Sequence, residues 1–177
     1  MPNSPDVLIA QSFWDFSLSF YALPPVQNAC LELQDEHGAD VNFVLFILFQ
    51  ANRGQALTAQ EVSNIDEEVR AWRETVIQPL RKLRKTLKQP ISPIKSDVQA
   101  RLREQIKQLE LNTEKLEQEF LETLSFITPP ASASKLSEVK LDIAAANFKH
   151  YADSLNLAID NPAITVLMQQ FSARLES

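Results

Sequence analysis

Along most of this chain apolar residues recur every three or four positions, the spacing of one face of an α-helix. From Ser12 to Ala22, Phe13, Phe16 and Phe20 mark such a face, with Leu18 on a neighbouring line. Ser12 is placed to cap this helix and the Pro24-Pro25 pair to end it. A second helix is predicted from Pro24 to His37, with Val26, Ala29, Cys30 and Leu33 inward and Glu32, Asp35 and Glu36 opposite. Proline suits a first turn, where its missing N–H would have no helical partner, and Gly38 supplies the left-handed residue that closes the helix. Asp40 then caps a third helix, Val41 to Asn52, which is apolar almost all round and ends at Gly54. A helix without a polar face must be surrounded, so this one is placed at the centre of the core.

Thr58 and Glu61 have the capping-box spacing for a fourth helix that begins near Ala59 and either runs unbroken to Lys88 or breaks near Asp66. Val69, Trp72, Val76, Leu80, Leu83 and Leu87 form its seam. Pro79 falls inside that seam and predicts a kink or a junction. Pro90 and Pro93 mark a turn before the longest candidate helix, Asp97 to Ile127, roughly 45 Å at 1.5 Å per residue. Leu102, Ile106, Leu109, Leu116, Phe120 and Ile127 lie on a heptad-like seam, with Thr113 and Thr123 in register. The pattern predicts that this seam packs antiparallel on the Val69–Lys88 helix as a coiled-coil-like hairpin, leaving a Glu/Lys/Gln ladder in solvent. A Pro/Ser/Ala linker, 128–135, leads to a helix from Glu138 to about Leu157 started by Ser137, with Val139, Ile143, Ala146, Tyr151 and Leu155 near one side. Asn161-Pro162 opens a last helix that runs through Leu175.

The resulting expectation is an all-α chain. A compact N-terminal helical core carries a long antiparallel helical hairpin, and C-terminal helices pack on it. It reads as a single domain over 1–177, with its core at 12–57, hairpin at 58–127, linker at 128–136 and C-terminal helices at 137–177. Composition agrees: Gly38 and Gly54 are the only glycines, too few for the turns that β-rich folds consume. Most of the ten prolines punctuate the periodic segments.

Cys30 is the single cysteine, so a disulfide framework is excluded. The first ten residues include Asp6, lack a basic stretch and do not resemble a secretion signal. The longest apolar run, Phe43 to Phe49, is far shorter than the roughly 20 residues of a membrane span. A cytoplasmic location without a membrane span is therefore expected. A net charge of −6 argues against a dedicated nucleic-acid binder.

Three stretches are candidates for chemistry or binding. The corner from Gln34 to Asn42 gathers Asp35, His37, Asp40 and Asn42, a set from which a general base and its orienting partners could be drawn. The same residue types also serve as helix caps, and no second histidine stands nearby, so neither a zinc nor a di-iron pattern is formed. No metal and no cofactor is expected. Cys30, on an apolar face without basic neighbours, reads as a buried structural thiol. Arg81, Lys82, Arg84, Lys85 and Lys88 form a basic stripe that either binds a partner or pairs with acids of the next helix. The aromatics Phe13, Trp14, Phe16, Phe20 and Tyr21 read as core, with a ligand groove as the alternative.

The block Trp14-Asp15-Phe16-Ser17, Tyr21, Pro25-Val26-Gln27, Ala29-Cys30-Leu31, Leu33-Gln34-Asp35 and Gly38-Ala39-Asp40-Val41-Asn42 resembles an uncharacterised family of small proteobacterial helical proteins. The likeness continues through Trp72-Arg73 and Val76-Ile77-Gln78-Pro79-Leu80-Arg81, roughly the first half of the chain. It implies a bacterial cytoplasmic protein and carries no catalytic residues.

The function expected from all this is a non-enzymatic helical protein–protein interaction or adaptor role, with a protein partner or self-association. Binding of RNA or a ribonucleoprotein through the stripe at 81–88 is one alternative. A small enzyme with its site at the 34–42 corner is the other.

Overall fold

The structure, a computed structural model, describes residues 11–124 and 136–176. The predicted linker and Ile127 fall outside them. The described residues form eight α-helices and no strand: α1 Phe13–Tyr21, α2 Pro24–His37, α3 Val41–Asn52, α4 Ala59–Trp72, α5 Gln78–Thr86, α6 Ser96–Thr123, α7 Leu136–Ser154 and α8 Pro162–Leu175.

Helix starts follow the side chains that satisfy their exposed N–H groups. The Asp15 N–H donates to the Ser12 hydroxyl, and the Asn42 N–H donates to the Asp40 carboxylate. Thr58 and Glu61 make both halves of the capping box. Asn161 accepts from the N–H groups of Ala163 and Ile164. Gly38 ends α2 at φ 70°, a left-handed conformation that side chains rarely adopt.

α3 is the hub. Asn42 to Ala51 are all buried, and α1, α2, α6 and α7 surround this helix. Phe13 stacks on Phe49 with ring centroids 5.1 Å apart, and Phe43 meets the Tyr151 ring edge-on at 4.8 Å. α2 packs against α8, where Phe20 of α1 also reaches Phe171. The predicted inward set of α2, namely Val26, Ala29, Cys30 and Leu33, is the buried set. Burial pushes the Cys30 thiol up to about 12, as befits an inert core cysteine.

The face expected of α7 is different. Ala144, Asn147, Phe148, Tyr151 and Ala152 are buried, whereas Val139 and Ala146 are exposed and Ile143 is half-buried. α7 packs against both α3 and α4, so its inward side is rotated toward Phe148.

Pro79 does not break the chain from Ala59 to Thr86, and neither does Asp66. Proline lacks an N–H, and its ring crowds the carbonyl four residues back, that of Thr75. The helix widens instead: Arg73–Ile77 form a π-helical turn, and the Gln78 N–H reaches back to the Arg73 carbonyl. α4, this turn and α5 then act as one arm of a hairpin, with α6 antiparallel beside it. At the tip, buried Gln99 accepts from the Ile91 N–H and donates to the carbonyls of Leu87 and Gln89, closing the turn.

The hairpin is present, but its interior is not the expected one. Leu102, Leu109, Leu116 and Phe120 are exposed, as are Trp72 and Leu83 on the other arm. From that seam Ile106 is buried, together with its register partner Thr113. α6 otherwise buries Gln99, Glu110, Glu117, Gln118 and Leu121. α6 carries two adjacent lines with seven-residue spacing, one of leucines and one mostly polar. Arg81 and Arg84 on the first arm and Asn42 on α3 complement the polar line, so that line turns inward.

Candidate functional site

Three arrangements follow from this fold: a buried polar network, a ladder of ion pairs along the hairpin, and the leucine line left in solvent.

The network joins the α2–α3 corner to α4, α6 and α7. Asp40 begins α3, and its Oδ2 lies 2.7 Å from Arg73 Nε, at the first residue of the π turn. Arg73 Nη2 reaches Asp66 Oδ1, also at 2.7 Å, and donates to the Asp66 carbonyl. The Asp40 N–H donates to the Tyr151 hydroxyl at 2.9 Å. Asn42 Nδ2 donates to Glu117 Oε2 and Gln118 Nε2 donates to Asn42 Oδ1, both at 2.8 Å. Burial opposes the charge of Arg73, but Asp40 and Asp66 outweigh it and raise the guanidinium pKa. Burial, and then the Asp40 charge, push the Tyr151 phenol up.

Glu117 is the unusual member. Burial, the neighbouring Asp40 charge and a hydrogen bond with Asp40 push its carboxyl up to about 9. Burial beside the Asp40 carboxylate thus favours the protonated form of Glu117, whose Oε2 accepts from Asn42.

Along the hairpin, Arg81 Nε pairs with Glu110 at 3.0 Å, and its Nη2 with Glu114 at 2.6 Å, while Nη1 donates to Gln34 on α2. Arg84 also pairs with Glu110. Burial alone would raise the Glu110 pKa, but hydrogen bonds from Arg84 and Arg81 bring it below the usual carboxylate range. Lys85 pairs with Asp35 at 3.1 Å, and that hydrogen bond lowers the Asp35 pKa. Lys82 and Lys88 are exposed.

The residues of the 34–42 corner are dispersed. Asp35 faces Lys85, His37 Nε2 lies 3.4 Å from Asn161 Nδ2, and Asp40 and Asn42 turn into the buried network. A shallow groove of about 350 Å³ between α7 and α8, lined by Leu141, Ala145, Ile164 and Met168 among others, contains none of them. Among the described residues no group of three or more His, Cys, Asp or Glu side chains is placed to hold a metal ion, and no helix is long and apolar enough to cross a membrane.

The third arrangement is a surface. Val98, Leu102, Leu109, Leu116 and Phe120 run along one side of α6. At 100° per residue they fall within about 40° of one another, over roughly 33 Å of helix. Leu116 is 52% exposed, while Glu117 beside it is 2% exposed. Trp72, whose indole N–H donates to the Thr113 carbonyl at 3.1 Å, stands partly exposed next to this line.

Sequence reasoning did not single out Asp66, Arg73, Glu117, Gln118 or Tyr151. One signal was available: Glu110 and Glu117 share seven-residue spacing, as do Asp66 and Arg73, and a polar heptad beside a leucine heptad means that one of the two is inside.

The chain belongs to the family described as Protein of unknown function (DUF2390), which matches residues 12–121. The match runs from the cap of α1 nearly to the end of α6, beyond the first-half likeness legible in the motifs. It takes in the buried network except Tyr151, and the whole leucine line. No curated protein and no solved structure matches the chain.

Proposed function

We propose that this DUF2390 member is a non-enzymatic helical interaction protein of the bacterial cytoplasm, and that its docking face is the leucine line of α6. The observation that carries this reading is the inversion on that helix, with carboxylates and amides inside and leucines outside. Each leucine of the line is about half exposed and so forgoes about half of the roughly 1.5–3 kcal/mol that full burial gives, which a protein partner would recover. Contiguous apolar surface on a soluble domain marks interaction sites. Cys30 supports the location, since its buried thiol suits a reducing compartment.

Two other readings draw on fewer observations. RNA binding would use Lys82 and Lys88, but Arg81, Arg84 and Lys85 already face carboxylates, leaving little charge for phosphates. An enzyme at the 34–42 corner would need Asp35, His37, Asp40 and Asn42 to converge, and they face different partners.

Photocrosslinking in cells tests the docking face. A photoreactive residue at position 109 should give one discrete adduct with a protein, and one at exposed Asp142 should not. The adduct should vanish when Leu102 and Leu116 are both changed to Glu. No adduct at 109, or the same adducts from both positions, would remove the proposal.

A further inference from the structure

We propose that the occupant of this face is a second copy of the chain, with the two α6 helices antiparallel about a two-fold axis at Leu109. The inference rests on the docking reading above and names the partner.

The stripe reads the same in both directions. From Val98 the steps to Leu102, Leu109, Leu116 and Phe120 are four, seven, seven and four. Reversal about Leu109 sets Leu102 against the partner copy's Leu116, and Val98 against its Phe120, with Leu109 facing its own counterpart. A two-fold dimer requires such a self-complementary patch. The seven-residue spacing of the three leucines suits a supercoiled helix pair.

Charge decides the direction. Arg101 and Glu119 lie on the same flank of the stripe, near its opposite ends, and both are exposed. A parallel pair would set each flank against the opposite flank of the other copy, so Arg101 and Glu119 would find no counterpart there. The antiparallel pair brings each Arg101 within about 3 Å, along the axis, of the level of the other copy's Glu119. Their partners within the chain, Asp97 at 3.7 Å and Lys115 at 3.8 Å, are long, exposed i,i+4 contacts that are weak and easily exchanged. Between these charges the positions bordering the stripe are the amides Gln105 and Asn112, so the centre of the contact can lose water without stranding a charge.

Buried, unreactive Cys30 makes the test clean, because an introduced cysteine is the one accessible thiol among the described residues. The full chain at tens of micromolar should scatter light as twice 20.0 kDa, and Leu102→Glu with Leu116→Glu should return it to a monomer of unchanged helicity. Leu109→Cys should crosslink to itself on oxidation. Leu102→Cys alone should not, since its two copies would lie about 21 Å apart. Mixed with Leu116→Cys it should form the heterologous pair.

A monomer at every concentration, or self-crosslinking through Leu102→Cys, would overturn the inference. So would a chain that dimerises only once residues 1–10 are removed, because its own N-terminal segment would then be the occupant. The in-cell adduct at position 109 keeps the two proposals apart. An adduct with another protein, beside a monomeric chain, removes the dimer and leaves the docking face. No adduct of either kind removes both.

Discussion

α3 and α6 pack against each other, yet they solve burial in opposite ways. α3 is apolar nearly all round, and its buried polar residues Asn42 and Gln50 lie near its two ends. α6 puts Glu110, Glu117 and Gln118 inside and leaves its leucines in water. The core around α3 is held by area removed from water, which is non-directional and tolerant of small shifts. The hairpin is held by charge pairs whose partners must all be present, which fixes register more than it adds stability. Apolar surface that folding left uncovered on α6 remains available for association.

This contrast can be broken at its strongest point first. Arg73→Ala strands the Asp40 carboxylate in the interior, leaves Asp66 only its longer pair with Arg70, and is expected to cost about 3–5 kcal/mol in urea unfolding. Leu48, fully buried on α3, should cost about 2–5 kcal/mol when changed to Ala. If Arg73→Ala proved nearly neutral, the buried network would not depend on its ion pairs.

Glu117 sharpens the comparison through pH. Its carboxyl is raised from 4.5 to about 9 in the folded chain, so the native state holds a proton that the unfolded state has lost between those values. Stability from this group is therefore highest below about pH 4.5 and declines as pH rises toward about 9. Glu117→Gln keeps an acceptor for Asn42 and a donor for Asp40 without the titration. It should flatten that slope, so that its gain in stability over the parent chain is larger at about pH 8 than at about pH 5. An unchanged slope in pH-resolved unfolding would show that the proton is elsewhere.

Thr58→Ala removes the capping-box hydroxyl at the start of the first arm and should cost about 1 kcal/mol. The smallest effect belongs to Leu109→Ala. In dilute monomer it should change stability by less than about 0.5 kcal/mol, because the side chain is half in water already. A loss as large as that at Leu48 would mean that Leu109 is covered within the chain.

Much of the fold is local and could be read directly. Ser12, Asp40, Thr58 and Asn161 begin helices because each supplies an oxygen to free N–H groups a few residues on. Gly38 and Gly54 end helices because they accept left-handed backbone. The centrality of α3 followed from the absence of a polar face. These are properties of short segments, and the chain determines them by itself.

The sides of α6 and α7 that face inward, and the corner's role, were decided only in three dimensions. Periodicity states which residues share a line, but α6 has two lines, and the choice depends on what stands opposite. Arg81 and Arg84 on the first arm meet Glu110, and Asn42 on α3 meets Glu117 and Gln118, which makes the polar line the better interior. Pro79 likewise acts beyond its own position, since the widened turn before it sets Arg73 between Asp40 and Asp66. Hydrophobicity drives burial in general, yet a satisfied set of charges can outcompete leucines for an interior position. Complementarity between distant segments is a property of the folded chain that no single stretch of sequence contains.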